Sequence, residues 1–135
     1  MVGIQAKLEM IGKYGCYMFC LLKVAKQEHN YLYYYNRFLE KGWIDRECTV
    51  LNPVAIMNDL TGTRFNVLKS TKFDSKASFA VGYWYNPSTK FHHFVLHDGN
   101  NKVIYDSYGM NDDGTPMSNT VRNGYIESYR LYYKV

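Results

Sequence analysis

The pattern of apolar and polar positions predicts three helices in the first half of the chain. Apolar residues recur at helical spacing over residues 16 to about 29, 31 to about 41, and 53 to about 60. The first of these stretches is apolar on nearly every face over its first two turns, as expected for a helix packed on more than one side. Upstream, residues 5–11 are compatible with either a short helix or an extended arm.

Capping residues support two of these helices. Asn30 precedes the second helix as an N-cap, and Asn52 followed by Pro53 is a typical opening for the third. Gly42 and Gly62 follow the last apolar positions, where glycine commonly ends a helix.

The second half of the chain has the residue types and period of β-strands. Strands rich in Val, Ile, Phe and Tyr are predicted at residues 64–69, 78–85, 91–97, 102–106 and 125–134. Turn sequences separate them, and a polar loop covers residues 110–119. Helices followed by an antiparallel sheet predict an α+β fold. We expect one domain over all 135 residues, helical to about residue 62 and sheet from about residue 63.

Cys16 is the first candidate for chemistry. Residues 12–15, with glycine at both ends, are predicted to form a loop that enters the apolar helix at Cys16. Unpaired N–H groups and the positive end of the helix dipole favour a thiolate at such a position. The alternative is that Cys16 is a small buried hydrophobic residue. Cys20, one turn later, is expected in the core, and Cys48 is given no role.

His93 is the candidate base for this thiol. Side chains alternate along the strand at 91–97, so His93 and His97 share one face while His92 lies on the other. A turn centred on residues 99 and 100 would place His93 opposite Asp106, with Cβ atoms about 5 Å apart. The carboxylate would then fix the tautomer of the imidazole. A turn centred on Asn100 and Asn101 would place His93 opposite Tyr108 and break the pair.

These motifs, in this order, resemble those of papain-like cysteine peptidases, and most closely the small single-domain proteins related to bacteriocin-leader (double-glycine) peptidases. The matching segments are Tyr14-Gly15-Cys16-Tyr17, Asn52-Pro53-Val54-Ala55-Ile56, His93-Phe94-Val95-Leu96 and Val103-Ile104-Tyr105-Asp106-Ser107. The resemblance implies N-terminal helices packed on a C-terminal antiparallel sheet. It also implies that Cys16 is the nucleophile, His93 the general base and acid, and Asp106 the residue that orients His93.

The chain departs from the family pattern at two positions. The family usually has a glutamine a few residues before the cysteine, where its side chain helps to bind the oxyanion. Here the nearest glutamine is Gln5, which could reach Cys16 only if the glycine-containing loop folds back. The small residue common after the nucleophile is replaced by Tyr17. Tyr17 and Trp84 are weaker candidates for lining a substrate cleft, and core packing is the simpler role for Trp84.

We therefore expect a thiol hydrolase that cleaves a peptide or isopeptide bond through an acyl-enzyme. The alternative is an inactive papain-like protein that acts by binding or inhibition. The small size and the missing glutamine would suit an origin in a bacterial phage or mobile element. A peptide or protein is the expected partner or substrate.

Composition and motif spacing disfavour several other classes. The net charge of +4 is mild and the basic residues are scattered, which disfavours nucleic-acid binding. Three cysteines are an odd number and suggest reduced thiols and a cytoplasmic location. No apolar run approaches the ~18 residues of a membrane span. The histidine and cysteine spacings do not follow zinc-binding patterns, so neither a metal nor another cofactor is expected.

Overall fold

A computed structural model describes residues 3–135 and has an α+β architecture, with helices followed by an antiparallel sheet. The chain divides into two compact units, Met1–Thr63 and Arg64–Val135. This boundary lies close to the position where the hydrophobic period changes in the sequence. The first unit is the helical unit below, and the second is the sheet unit.

The helical unit contains four α-helices and one short 3-10 turn among its described residues. These are α1 (Ile4–Tyr14), α2 (Cys16–Val24), the turn Glu28–Asn30, α3 (Tyr31–Lys41) and α4 (Pro53–Thr61). The upstream segment is therefore a helix rather than an extended arm. The helix that starts at Cys16 ends at Val24, earlier than predicted, because the chain then turns through the left-handed residue Lys26 (φ 57°).

The predicted helix ends are mostly confirmed. Asn52 caps α4, because its side-chain oxygen accepts a hydrogen bond of 3.0 Å from the backbone N–H of Ala55. Gly42 and Gly62 end α3 and α4 with φ of 75° and 71°, a conformation that suits glycine. Asn30 occupies the N-cap position of α3 but its side chain donates instead to Gln27, so its predicted capping role is wrong.

The predicted loop over residues 12–15 is also wrong, because α1 continues through Tyr14. The backbone N–H of Gly15 still bonds to the Ile11 carbonyl at 2.8 Å, and α2 begins at the next residue. A Cβ at position 15 would lie 2.3 Å from that carbonyl oxygen, so the junction needs glycine. Two helices thus meet at Gly15 with no loop between them.

The sheet unit is a five-stranded antiparallel sheet with strand order β1-β5-β2-β3-β4. Its elements are β1 (Phe65–Ser70), β2 (Phe79–Asn86), β3 (Phe91–His97), β4 (Val103–Tyr105), the short helix α5 (Asn119–Arg122) and β5 (Tyr125–Lys134). The bounds of β3 and β5 match the prediction, and the ends of the other strands differ by one residue. The single turn of α5 was not predicted. One core cluster in this unit is built on Ala80, Tyr129 and Leu131.

The register of the β3–β4 hairpin differs from the predicted one. His97 pairs with Val103 and Leu96 pairs with Tyr105, so one extra residue, Ile104, bulges from β4. The turn is set by Asp98, whose side chain accepts hydrogen bonds of 2.9 Å from the amides of residues 100 and 102. This local bonding fixes a wider turn than the predicted one, which was centred on residues 99 and 100.

The bulge decides which face of the sheet Asp106 occupies. Without it, the pairing of His97 with Val103 would continue and place Asp106 beside Phe94, on the opposite face from His93. With the bulge, extending the pairing of Leu96 with Tyr105 by one residue places Asp106 beside Val95, on the same face as His93. The predicted register is therefore wrong. The predicted pair of His93 and Asp106 still forms, because the bulge brings Asp106 to the His93 face.

Candidate catalytic site

His93 and Asp106 form a buried, hydrogen-bonded pair in the sheet unit. The His93 Nε2 atom lies 2.7 Å from Asp106 Oδ1. The two residues are 3% and 1% exposed, respectively, so this bond is isolated from bulk water. A bond of this kind is stronger than one at the surface because water competes less for its partners.

Asp106 is held by three donors. Its Oδ1 also accepts the amide N–H of Tyr108 at 2.9 Å, and its Oδ2 accepts the amide N–H of Ser118 at 3.0 Å. Burial alone would raise the pKa of the Asp106 carboxyl, but the hydrogen bonds from His93, Tyr108 and Ser118 outweigh it and lower the pKa below its usual value. Asp106 is therefore an ionised acceptor.

The ionised carboxylate determines the tautomer of His93. A carboxylate can only accept hydrogen bonds, so the proton in the contact with Asp106 belongs to His93 Nε2. In the neutral ring the lone pair is then on Nδ1, the ring nitrogen away from Asp106. The bond to Asp106 thus selects the Nε2–H tautomer of the neutral ring.

Two residues of this site were not identified from the sequence. Tyr108 stacks its ring on the His93 imidazole, with centroids 4.8 Å apart and planes inclined by 25°. Ser118 donates its amide to Asp106, while its hydroxyl is buried and has no hydrogen-bond partner among the described residues. Ser118 is twelve residues from Asp106 in an irregular segment, so no short-range pattern connects them.

His97 lies on the same face as His93 but has a packing role. Its Nε2 accepts the indole N–H of Trp84 at 3.2 Å, and its Nδ1 donates to the side-chain oxygen of Asn101 at 3.0 Å. Both contacts suit a neutral ring, and burial lowers the pKa of His97, opposed in part by Asn101 and Asp98. Gly82 makes room for this ring, since a Cβ there would lie 2.2 Å from Nε2.

Trp84 is therefore hydrogen-bonded to His97. It is also the direct cross-strand partner of His93 on β2. Its indole is half-buried and directed toward His97, which supports the packing interpretation of this residue. His92, on the other face, stacks on Tyr83 and pairs with Glu127 at 2.9 Å, so it does not join His93.

Cys16 is the first residue of α2 in the helical unit and is half-buried. Because α1 ends only two residues earlier, Cys16 lies between the C-terminal end of one helix and the N-terminal end of the next. The helix dipoles have opposite sign at these ends, so the expected stabilisation by a helix N-terminus is partly offset. The helix start at Cys16 therefore favours a thiolate less than the sequence indicated.

The other two cysteines are buried in the helical unit. Cys20 is fully buried on α2, as expected for a core residue. Burial raises the pKa of the Cys48 thiol to about 12, with smaller contributions from Asp45 and Cys16. Cys48 therefore remains a thiol at neutral pH and is a poor nucleophile.

The structure does not place Gln5 where its predicted role requires it. Gln5 is exposed in the first turn of α1, and the helical conformation of residues 12–14 prevents the fold-back that its oxyanion role requires. The eleven residues of α1 span about 16 Å, which separates Gln5 from the end of α1 that leads to Cys16. Tyr17 is 9% exposed, so little of its ring is available to a substrate.

Two features are absent from the described residues, a metal-binding cluster and a membrane-spanning helix. Over residues 3–135, no group of three or more His, Cys, Asp or Glu side chains is arranged to hold a metal ion. Within the same residues, no helix has the length and apolar character needed to cross a membrane.

The chain belongs to the family described as "Protein of unknown function, DUF261", which matches residues 5–134. The match includes both units and all three residues discussed above, Cys16, His93 and Asp106. No curated protein and no solved structure matches the chain significantly.

Proposed function

We propose that this chain is a thiol hydrolase with a papain-like fold, in which Cys16 is the nucleophile, His93 the base and Asp106 the residue that orients His93. The observation that carries the proposal is the buried bond of 2.7 Å between His93 Nε2 and Asp106. It leaves the lone pair of the neutral imidazole on Nδ1, where a thiol proton can be accepted. The order of helices and strands along the chain also suits a papain-like fold.

The proposed reaction has two steps. His93 Nδ1 accepts the proton of the Cys16 thiol, and the thiolate attacks the carbonyl carbon of a peptide or isopeptide bond. The imidazolium then protonates the leaving amine as the C–N bond breaks, which leaves a thioester on Cys16. Water, deprotonated by the same imidazole, attacks the thioester and releases the acid product and the free thiol. Asp106 stabilises the imidazolium in both steps.

The test is the reactivity of Cys16 as a function of pH. The native protein is treated with iodoacetamide from about pH 5 to about pH 9, and the adducts are mapped by mass spectrometry. We expect Cys16 to label faster than a free thiol at the acidic end, and His93→Ala to abolish this advantage. His92→Ala is the matched control, because His92 is the neighbouring histidine on the opposite face. Labelling at the rate of a free thiol would contradict the proposal.

The alternative function, a papain-like protein that binds or inhibits without catalysis, is favoured by one observation. Gln5 is exposed in the first turn of α1, so the glutamine expected to stabilise the oxyanion does not lie beside Cys16. A hydrolysis assay with quenched fluorescent peptides separates the two functions. If Cys16 is reactive in a His93-dependent manner but no peptide or isopeptide is cleaved, the binding function is preferred.

A further inference from the structure

The two edge strands of the sheet, β1 and β4, differ in how well they are protected against pairing with another strand. β4 has three residues and carries the bulge at Ile104. Short length and a bulge both hinder an edge from accepting a further strand. β1 has six residues, contains no proline and pairs with β5 without a shift in register. β1 is therefore the edge that is suited to accept a further strand.

The backbone groups of alternate β1 residues point away from the sheet. The N–H of Val135 donates to the carbonyl of Arg64 at 3.1 Å, so these residues form a hydrogen-bonded pair that continues the β1–β5 register. Opposed residues of an antiparallel ladder alternate between hydrogen-bonded and non-hydrogen-bonded pairs. The N–H and C=O groups of Phe65, Val67 and Lys69 therefore face the open edge. In the described part of the chain, no strand other than β5 pairs with β1.

The side chains of β1 leave this edge accessible. Leu68 is 56% exposed near the middle of the strand, and its neighbours Asn66 and Lys69 are exposed as well. Natural proteins commonly protect a regular edge strand with several charges or a proline. Lys69 is the only charged residue of β1. A partner strand would therefore remove from water both an exposed leucine and a row of unpaired backbone groups.

We propose that β1 pairs antiparallel with β1 of a second copy of this chain, with the two-fold axis at Leu68. The two Leu68 residues then form a non-hydrogen-bonded pair, the type in which opposed side chains lie closest. Val67 of each copy lies opposite Lys69 of the other, and these residues exchange backbone hydrogen bonds through the groups that face the edge. Asn66 lies opposite Ser70, so polar residues meet polar residues. A two-fold axis thus makes this edge its own complement, which favours a second copy as the occupant.

The dimer is expected to be weak and to depend on salt. Pairing through one strand of six residues buries less surface than the about 1,200 Å² at the lower end of standard interfaces. The two Lys69 residues lie on the same face of the joined sheet, so their ammonium groups repel each other. Because added salt screens this repulsion, association should strengthen as ionic strength rises. This dimer does not depend on the proposed function.

Sedimentation velocity of the full chain tests the proposal at protein concentrations from about 1 μM to about 1 mM. We expect the wild type to dimerise reversibly within this range. Leu68→Lys should weaken dimerisation at least about tenfold, because it places two further cations at the axis. Ile104→Lys is the matched control, since Ile104 is also exposed (45%) but lies on β4, and it should leave the dissociation constant unchanged.

Two further variants examine the backbone and the charge. Val67→Pro deletes an N–H that faces the open edge and none that bonds to β5, so it should weaken dimerisation at least about tenfold in a folded monomer. Lys69→Met removes the repulsion and should strengthen dimerisation at least about threefold. Circular dichroism checks the folding of each variant, and Lys69→Met supplies a gain of association that misfolding of Val67→Pro cannot obscure.

A disulfide locates the two-fold axis. In a Cys16→Ser background, oxidised glutathione should link Leu68→Cys chains, because opposed residues of such a pair have Cα atoms about 4.5 Å apart, within the range of a disulfide. Ile104→Cys in the same background should not form this link.

A wild type that stays monomeric at the highest concentration would overturn the proposal and leave a strand of another protein as the occupant. Equal weakening by Leu68→Lys and Ile104→Lys would also overturn it, because the effect would then not be specific to β1. A dimer that forms no Leu68→Cys disulfide would overturn the position of the axis.

Discussion

Cys16 in the helical unit and the His93–Asp106 pair in the sheet unit differ in how their surroundings hold them. Asp106 receives three donors, and its imidazole partner is covered by Tyr108. Cys16 is instead placed by a local junction of two helices at Gly15, and it is only half-buried. The His93–Asp106 pair is therefore part of the structural framework of its unit, whereas Cys16 is a local feature of a helix start.

The largest effect expected from this difference is on stability. Asp106→Ala removes the acceptor of three buried donors and should lower the free energy of unfolding by about 3–5 kcal/mol, because those donors become unpaired. Cys16→Ser, the matched change of a proposed catalytic residue, should alter it by less than about 1 kcal/mol. Urea unfolding measures both variants. Equal losses would contradict the view that only the sheet unit depends structurally on its site.

Ser118 offers a more selective change at the same carboxylate. Ser118 has φ of −66°, which proline can adopt, but Ser118→Pro replaces the N–H that bonds to Asp106 Oδ2 with the ring Cδ, which would overlap that oxygen. The lost hydrogen bond to a charged group and the displaced carboxylate together should cost more than about 2 kcal/mol in chemical denaturation. Ser118→Ala is the control and should be within about 1 kcal/mol of wild type, because the hydroxyl has no partner among the described residues. A larger cost for Ala than for Pro would show that the hydroxyl matters and the amide does not.

The junction before Cys16 can be tested in the helical unit. Gly15→Ala should destabilise by about 1–2 kcal/mol, because its Cβ would lie 2.3 Å from the Ile11 carbonyl oxygen and the helices must shift. Gly12→Ala, inside α1 where a Cβ meets no atom within 4 Å, should instead stabilise by about 0.5–1 kcal/mol. Thermal unfolding distinguishes the two signs. Similar behaviour of both variants would mean that the junction is not tightly constrained.

The smallest expected effect is a pH dependence that arises from His97. Its pKa is lowered in the folded protein by burial, so below the unfolded value of about 6.5 the unfolded chain binds a proton that the native ring does not. Stability should therefore fall as pH decreases below about 6.5, with a slope of at most about 1.4 kcal/mol per pH unit from this group.

His97→Gln, measured by urea unfolding at several pH values, isolates this contribution. Glutamine keeps a hydrogen-bonding side chain but does not titrate. The slope of the free energy of unfolding against pH should therefore be smaller in this variant than in the wild type, by the contribution of His97. His29→Gln is the control, because His29 is almost fully exposed. An unchanged slope in His97→Gln would show that His97 is not the group responsible.

Much of the secondary structure could be predicted because it depends on local signals. The Asn52–Pro53 start of α4, the glycine ends of α3 and α4, and the bounds of β3 and β5 all follow from short-range backbone preferences and from the period of apolar residues. The prediction of a loop before Cys16 also relied on a local signal, and it was wrong. Considered alone, Gly12 indicates a loop. The helix nevertheless continues through it, because one glycine destabilises an α-helix by only about 1 kcal/mol relative to alanine.

Local residue preferences along the chain are enough to predict the change from helices to strands, the alternation that places His93 and His97 on one face, and the choice of Cys16, His93 and Asp106 as candidates. How Asp106 reaches His93 depends instead on contacts between distant segments. A bulge at Ile104 and a turn fixed by Asp98 shift the register, and the shift moves Asp106 onto the His93 face. Tyr108 and Ser118 join the site through an irregular loop. The amides of both residues donate hydrogen bonds to the buried Asp106 carboxylate. No periodic pattern of residues along the chain predicts such contacts.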